Sequence, residues 1–186
     1  MNIYVVRHGE TEYNRRKVYF GWSDICLNET GRKQCITLKE ELTYAKFDEV
    51  WASPSIRTME TAKIITSGQA LKIDDRFREL NFGEWEGLHY LTIEKQYPVE
   101  WKAWGDDWQY YCLPGGESFM GFYERVKAAW NELKSEMARQ KGIKNVLLVV
   151  HGGTLKVITL LEKKLPLKAY WQIKFPLATY EIFKIG

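Results

Sequence analysis

Three short segments concentrate residues able to handle a phosphate: Arg7-His8-Gly9, Ser53 to Arg57 and His151-Gly152-Gly153. The planar fork of arginine matches phosphate oxygens in pairs, and neutral imidazole is a nucleophile at neutral pH without special activation. Glycine lets backbone N–H groups approach an anion, and Gly9, Gly21, Gly152 and Gly153 are placed to do so. Two guanidinium groups about 4 Å apart repel by roughly 4 kcal/mol at an effective dielectric of about 20, so a pocket holding both Arg7 and Arg57 needs carboxylates or a bound anion.

The usual phosphate cradles are absent: no segment has Walker A spacing, and no G-x-G-x-x-G follows a strand. Nucleotide cofactors lose ground accordingly. A two-metal centre needs several carboxylates or histidines, yet the three segments bring only His8, Glu10 and His151. The expectation is chemistry with no metal and no cofactor, in which His8 attacks phosphorus while Arg7, Arg57 and His151 stabilise charge on the equatorial oxygens. A carboxylic acid must then protonate the leaving oxygen. Glu79 is the candidate, desolvated by Phe77, Phe82 and Trp85 so that it holds a proton near neutral pH, and Glu84 and Glu86 compete for the role.

These groups meet only if strands deliver them to one edge. Asn2 to Val6, Glu49 to Ala52 and Asn145 to Val150 are short apolar β-type runs that end at the three segments, and Thr179 to Ile185 offers a further strand. Helical spacing joins Cys35, Leu38 and Leu42, with Thr30 as cap; it also covers Ser55 to Ile65, with Ile56, Met59 and Ile64 near one face, and Thr154 to Leu161. The longest amphipathic pattern runs from Ser118 to Arg139 through Phe119, Phe122, Val126, Ala129, Leu133 and Met137. Strands alternating with helices predict an α/β fold, a three-layer α/β/α sandwich on a mainly parallel sheet, whose strand ends bind the ligand. Residues from about 76 to 116 hold Gly83, Gly87, Pro98, Gly105 and Pro114 among many aromatics, and predict an irregular insertion with short helices.

Composition narrows the class. The 186 residues fit one domain spanning 1–186, and 45% hydrophobic content excludes intrinsic disorder. The 27 basic residues against 24 acidic ones are scattered, which gives nucleic acid no basic face to bind. No apolar run is long enough to span a bilayer or form a signal-peptide core, so the expected partner is a small phosphate monoester in the cytoplasm, with no membrane. Cys26, Cys35 and Cys112 lack metal or disulfide spacing and are expected to be buried thiols. Trp101, Trp104 and Trp108, with Tyr110 and Tyr111, either pack the insertion onto the sheet or form a lid, and packing is the expectation. His89 is expected to be a surface residue of the insertion.

Taken in order, Val6-Arg7-His8-Gly9-Glu10-Thr11, Asn14, Gly21-x-x-Asp24, Leu27-x-x-x-Gly31, Ser53-Pro54-x-x-Arg57-Thr58-x-x-Thr61-Ala62, Glu79-Leu80-x-Phe82-Gly83-x-Trp85-Glu86-Gly87 and Val150-His151-Gly152-Gly153 span most of the chain. The set resembles the histidine phosphatase superfamily, which includes the cofactor-dependent phosphoglycerate mutases. The resemblance implies His8 as the phosphorylated nucleophile, Arg7, Arg57 and His151 around the phosphate, Asn14 and backbone near Gly21 and Gly152 as further phosphate contacts, and Glu79 as acid and base. The short chain, without the longer insertion typical of the mutases, resembles the superfamily's phosphatases, and Pro114 to Ser118 with the Glu79 to Gly87 segment is similar to α-ribazole 5′-phosphate phosphatases of cobalamin assembly. A broad-specificity phosphatase, a mutase and a phosphate-binding module without turnover are the alternatives. Two positions depart from the family pattern: Cys26, where proline is frequent, and Phe20, which is left out of the catalytic set.

Overall fold

The computed structural model of the protein describes residues 1–185. Five strands, β1 (Asn2–Arg7), β2 (Glu49–Ala52), β3 (Lys72–Ile73), β4 (Asn145–Val150) and β5 (Tyr180–Lys184), form one sheet in the order β3-β2-β4-β1-β5. The first four run parallel and β5 is antiparallel. β4 is apolar throughout because both of its faces are covered. After the short helix α1 (Glu12–Arg16), which follows β1, longer helices cover both faces: Val146, Leu148 and Val150 face one core with α6 (Phe119–Arg139) and α7 (Gly152–Glu162), while Leu147 and Val149 face another with α2 (Glu29–Glu41) and α3 (Ile56–Thr66). The expected three layers are present.

The register positions the chemistry. Arg7 pairs with Val150 and Ala52 with Val149, so His8, Ser53 and His151 leave three adjacent strands at nearly the same level. The tips are tied together, with His8 N–H donating to Val150 O at 3.0 Å and Ser53 N–H to Val149 O at 3.0 Å.

Three local expectations change. The cap of α2 is Asn28, whose side chain accepts from Gly31 N–H; Thr30 lies inside the first turn. On α3 the buried residues are Arg57, Thr58, Thr61, Ala62 and Ile65, and Ile56 is exposed. The apolar spacing misled there because the inward face is polar, its threonine hydroxyls bonding to backbone carbonyls such as Arg57 O and Ser53 O. Only Cys35 is a buried thiol; Cys26 and Cys112 are exposed, since the adjacent Leu27 and Leu113 take the interior positions.

The segment from Arg76 to Gly116 contains α4 (Tyr90–Gln96) and α5 (Pro98–Asp106), with two 3₁₀ turns near its start, Asp75–Phe77 and Gly83–Trp85. Gly83 has φ +54°, and a Cβ there would meet Pro114 O at 2.1 Å, so the segment closes on itself only through glycine. Trp101 and Trp104 pack on buried Trp85, with centroids 5.6 and 5.8 Å away, and Trp108 packs on Phe119 at 4.7 Å. These rings hold the segment onto the core, as expected for packing. His89 caps α4, its Nδ1 accepting from Leu91 N–H. Among the described residues no helix is long and apolar enough to cross a membrane.

Candidate active site

His8 and His151 lie with ring centroids 5.4 Å apart at the β1 and β4 tips, both buried. His8 Nδ1 is 2.7 Å from Gly9 O. A carbonyl can only accept, so Nδ1 carries the hydrogen and Nε2 presents its lone pair. Burial, then the nearby Arg57 and Arg7 charges, hold the His8 pKa well below that of a free imidazole, against the pull of the Gly9 bond. His8 is neutral, as a nitrogen nucleophile must be.

Arg57 enters from α3 and donates to Ser23 O at 2.8 Å and Gly21 O at 2.6 Å, with its guanidinium carbon 4.8 Å from the centre of the Phe20 ring. Burial lowers its pKa to about 10, partly offset by Glu79, Glu86 and Asp24, which leaves it charged at neutral pH. Arg7 donates to Phe175 O and lies against Gly152, where a Cβ would come within 3.1 Å of its Nε. The Nε atoms of Arg7 and Arg57 are buried with no protein partner.

Glu79 is the acid that reaches this cluster. Its Oε2 accepts from Gly153 N–H at 2.7 Å and its Oε1 from Leu80 N–H at 3.0 Å. Burial raises its pKa, opposed by those two bonds and by Arg57 and Arg7. Gly153 is required by contact: a Cβ there would be 2.2 Å from Glu79 Oε1. Structure also separates the competing carboxylates. Glu86 accepts from Gly21, Trp22 and Ser23 N–H and so clamps the 20–23 loop, while Glu84 is exposed. The like-charge problem is thus balanced mainly by Glu79, Glu86 and Asp24.

Arg7, His8, Asn14, Arg57, Glu79, His151 and Gly152 all line one cavity of about 450 Å³. Gly21 does not, which corrects its expected substrate contact: its N–H is bound by Glu86 and its carbonyl positions Arg57. The amides of Gly9 and Gly153 are likewise bound inside the protein, by Thr61 Oγ1 and Glu79. These glycines serve close packing instead of ligand approach.

A family model, the histidine phosphatase superfamily (branch 1), matches residues 3–186. The chain belongs to the histidine phosphatase superfamily. It is 31% identical over 176 residues to an adenosylcobalamin/alpha-ribazole phosphatase of Salmonella typhimurium, covering 94% of this chain and 85% of that one. It is 28% identical over 184 residues to phosphoserine phosphatase 1 of Hydrogenobacter thermophilus, covering 98% and 85%. The crystal structure of the alpha-ribazole phosphatase from Shigella flexneri superposes with a TM-score of 0.90 at 27% identity, covering 100% of this chain and 91% of that chain. Family and phosphatase-named relatives together make the protein a phosphoric monoester hydrolase.

The cavity of this histidine phosphatase is also lined by residues that motif reading passed over, Tyr19, Tyr90, Phe175, Lys17, Lys156 and Tyr170, together with Phe20 and Phe82. Lys156 follows Gly152 by one helical turn, a spacing that placed it on the same face. Tyr170 comes from a short 3₁₀ helix (Leu167–Trp171) and Phe175 from the loop after it, neither with such a signal. Arg125 on α6 was also missed: it donates to Arg76 O, Arg78 O and Glu79 O and pairs with Glu117, fixing the backbone that carries Glu79.

Proposed function

We propose that the protein hydrolyses α-ribazole 5′-phosphate through a phosphohistidine on His8. The observation that carries this is the shared cavity, lined by a neutral His8, two arginines and the Glu79 carboxyl together with the aromatic rings of Tyr19, Phe20, Phe82, Tyr90 and Phe175. Such a lining suits a flat, uncharged leaving group, and the likeness to alpha-ribazole phosphatases points the same way.

In the first half-reaction the His8 Nε2 lone pair forms a P–N bond as the ester P–O bond breaks, and the leaving oxygen takes the Glu79 proton. Arg7, Arg57, His151, the Asn14 amide and the Gly152 N–H hold the equatorial oxygens, as donors aimed at developing charge should. In the second half-reaction Glu79, now ionised, takes a proton from water while the water oxygen attacks phosphorus and the P–N bond breaks, which restores neutral His8 and releases inorganic phosphate. Every step uses side chains of this chain, so turnover is expected to survive a chelator. A cytoplasmic, reducing setting fits the two exposed free thiols.

Comparing kcat/KM for α-ribazole 5′-phosphate, phosphoserine, 3-phosphoglycerate with its bisphosphate primer, and simple sugar phosphates tests the substrate. The nucleotide should lead by at least about tenfold, a difference of about 1.4 kcal/mol in the transition state. A lead for phosphoserine, or mutase turnover, defeats the substrate assignment, and absence of phosphate release with retained phosphate binding defeats catalysis itself.

A further inference from the structure

The two buried imidazoles meet the protein in opposite ways. His8 uses its Nδ1–H on the Gly9 carbonyl and leaves Nε2 open. His151 uses Nε2, which lies 2.8 Å from Ser53 Oγ, and its Nδ1 is buried with no protein partner. Both Ser53 and His151 are 0% exposed, and His151 lines the cavity. The Ser53 backbone is itself pinned, its carbonyl accepting from Thr58 Oγ1 at 2.7 Å and its N–H donating to Val149 O.

Two proton placements are possible. If His151 carried its hydrogen on Nε2 and donated to Ser53 Oγ, the serine hydroxyl proton would have no acceptor among the described residues and the Nδ1 lone pair would be stranded as well. If the Ser53 hydroxyl donates to Nε2, the hydroxyl is satisfied and one N–H donor, at Nδ1, remains for a ligand. Buried hydroxyls and imidazole nitrogens are rarely left unpaired, which favours the second placement.

We propose that Ser53 is a positioning residue that fixes His151 as the neutral Nδ1–H tautomer, making His151 a hydrogen-bond donor to the phosphoryl group while His8 presents a lone pair to it. This rests on the phosphoryl-transfer reading above. Burial, with the positive groups Arg57, Arg78 and Arg125 and the neighbouring His8, keeps the His151 pKa well below that of a free imidazole, so the ring reaches this state uncharged. No proton then moves on His151 during either half-reaction: one oxygen of the phosphoryl group accepts from Nδ1–H throughout, and the proton traffic stays on Glu79 and the leaving oxygen or water. A side chain that only filled space at position 53 would leave the His151 tautomer free to follow its surroundings.

The test is the tautomer itself, read by two-bond 1H–15N correlation in 15N-histidine-labelled protein at about pH 7.5, without any substrate. Wild type should show His151 with Nδ1 protonated and Nε2 as an acceptor. In Ser53→Ala the hydrogen should redistribute toward Nε2, and phosphoenzyme formation should slow by about 10²-fold, the scale of losing one transition-state donor, with KM nearly unchanged. Ser53→Cys, a weaker donor, should fall between the two. A wild-type spectrum showing Nε2–H or a charged ring overturns the proposal, as does a Ser53→Ala variant with unaltered tautomer or unaltered rate. If Ser53→Ala does not fold, the wild-type spectrum and the cysteine variant decide. A wild type with the expected tautomer that releases no phosphate would instead defeat the catalytic reading.

Discussion

The strand tips and the segment that covers them are built on different principles. At the tips, His8, Ser53, Arg57 and His151 are 0–3% exposed and tied to backbone or to one another. In the cover, Phe82 is only partly buried and Tyr90 is 46% exposed, and neither ring is fixed by a side-chain hydrogen bond. In the proposed reaction, pre-organisation is concentrated where charge would develop during phosphoryl transfer, and adaptability where the leaving group would rest. Substitutions at the tips should therefore change whether the reaction happens, and those in the cover should change which ester is chosen.

The largest effect should come from His8→Ala, which removes the proposed nucleophile. Turnover should fall at least about 10⁴-fold, as when a nucleophile is removed from a cooperating set. The acid-labile, alkali-stable phosphoenzyme seen by rapid quench should vanish with it. A label that persisted, or that moved to Ser53, would break the division between tips and cover at its root.

Glu79 stands between the two regions, on the cover's first loop but with its carboxyl in the tip cluster. Glu79→Gln should slow phosphoenzyme formation by about 10²–10⁴-fold for alkyl esters, whose leaving oxygen needs a proton, and far less for p-nitrophenyl phosphate. The sign of the pH effect follows from burial. Because the Glu79 pKa is raised, the protonated form persists to higher pH than for a free carboxylic acid, and the first step should fade as pH climbs through that raised value. The glutamine variant should lose this limb, and an unchanged profile would remove Glu79 from the acid role.

How much of this was legible in the sequence differs in the same way. Strands β1, β2 and β4 and the helix α6 follow from apolar period and length, and the motif residues fall at their ends because a parallel sheet delivers them there. What the residues could not disclose was which hydrogen bonds each group had already made. Gly21 reads as a phosphate contact until its N–H is found on Glu86, and Glu84, Glu86 and Glu79 are equivalent until the fold turns only the last into the cavity. Ser53 reads as part of a turn, and its pairing with His151 depends on sheet register across about a hundred residues. The cavity wall was the least legible, because Tyr170 on a short 3₁₀ helix and Phe175 in the loop after it belong to a stretch whose path only tertiary packing fixes.

The tips should also be the pH-sensitive part of the fold. His8 and His151 are held neutral, each with its pKa well below the free value of about 6.5. Below about pH 6.5 the unfolded chain binds protons there that the folded chain does not, so stability is full above that pH and falls as pH drops through it toward the lowered folded values. The two groups act in the same direction, so the protein should be less stable at pH 5.5 than at pH 7.5. Glu79 acts oppositely, since its raised pKa lets the folded state take up a proton first as pH falls. Denaturant midpoints at pH 7.5 and 5.5 should therefore converge in His151→Gln relative to wild type, and an equal spread in both would deny that the ring is buried uncharged.

The smallest effects on catalysis should lie in the cover and should separate its two aromatic populations. Trp104 packs on Trp85, Trp101 and Trp171 outside the cavity, so Trp104→Ala should cost about 2–4 kcal/mol of stability and alter KM alike for every ester. Tyr90 lines the cavity mouth and is nearly half exposed, so Tyr90→Ala should leave stability within about 0.5 kcal/mol of wild type. The ring's loss should raise KM about 3- to 10-fold for an aromatic-tailed phosphate, as for one stacking contact of about 0.5–1.5 kcal/mol, while a sugar phosphate is unaffected. Equal changes for both esters would mean that the rim does not read the leaving group, and selection would then have to come from Phe82 and Tyr19 deeper in the wall.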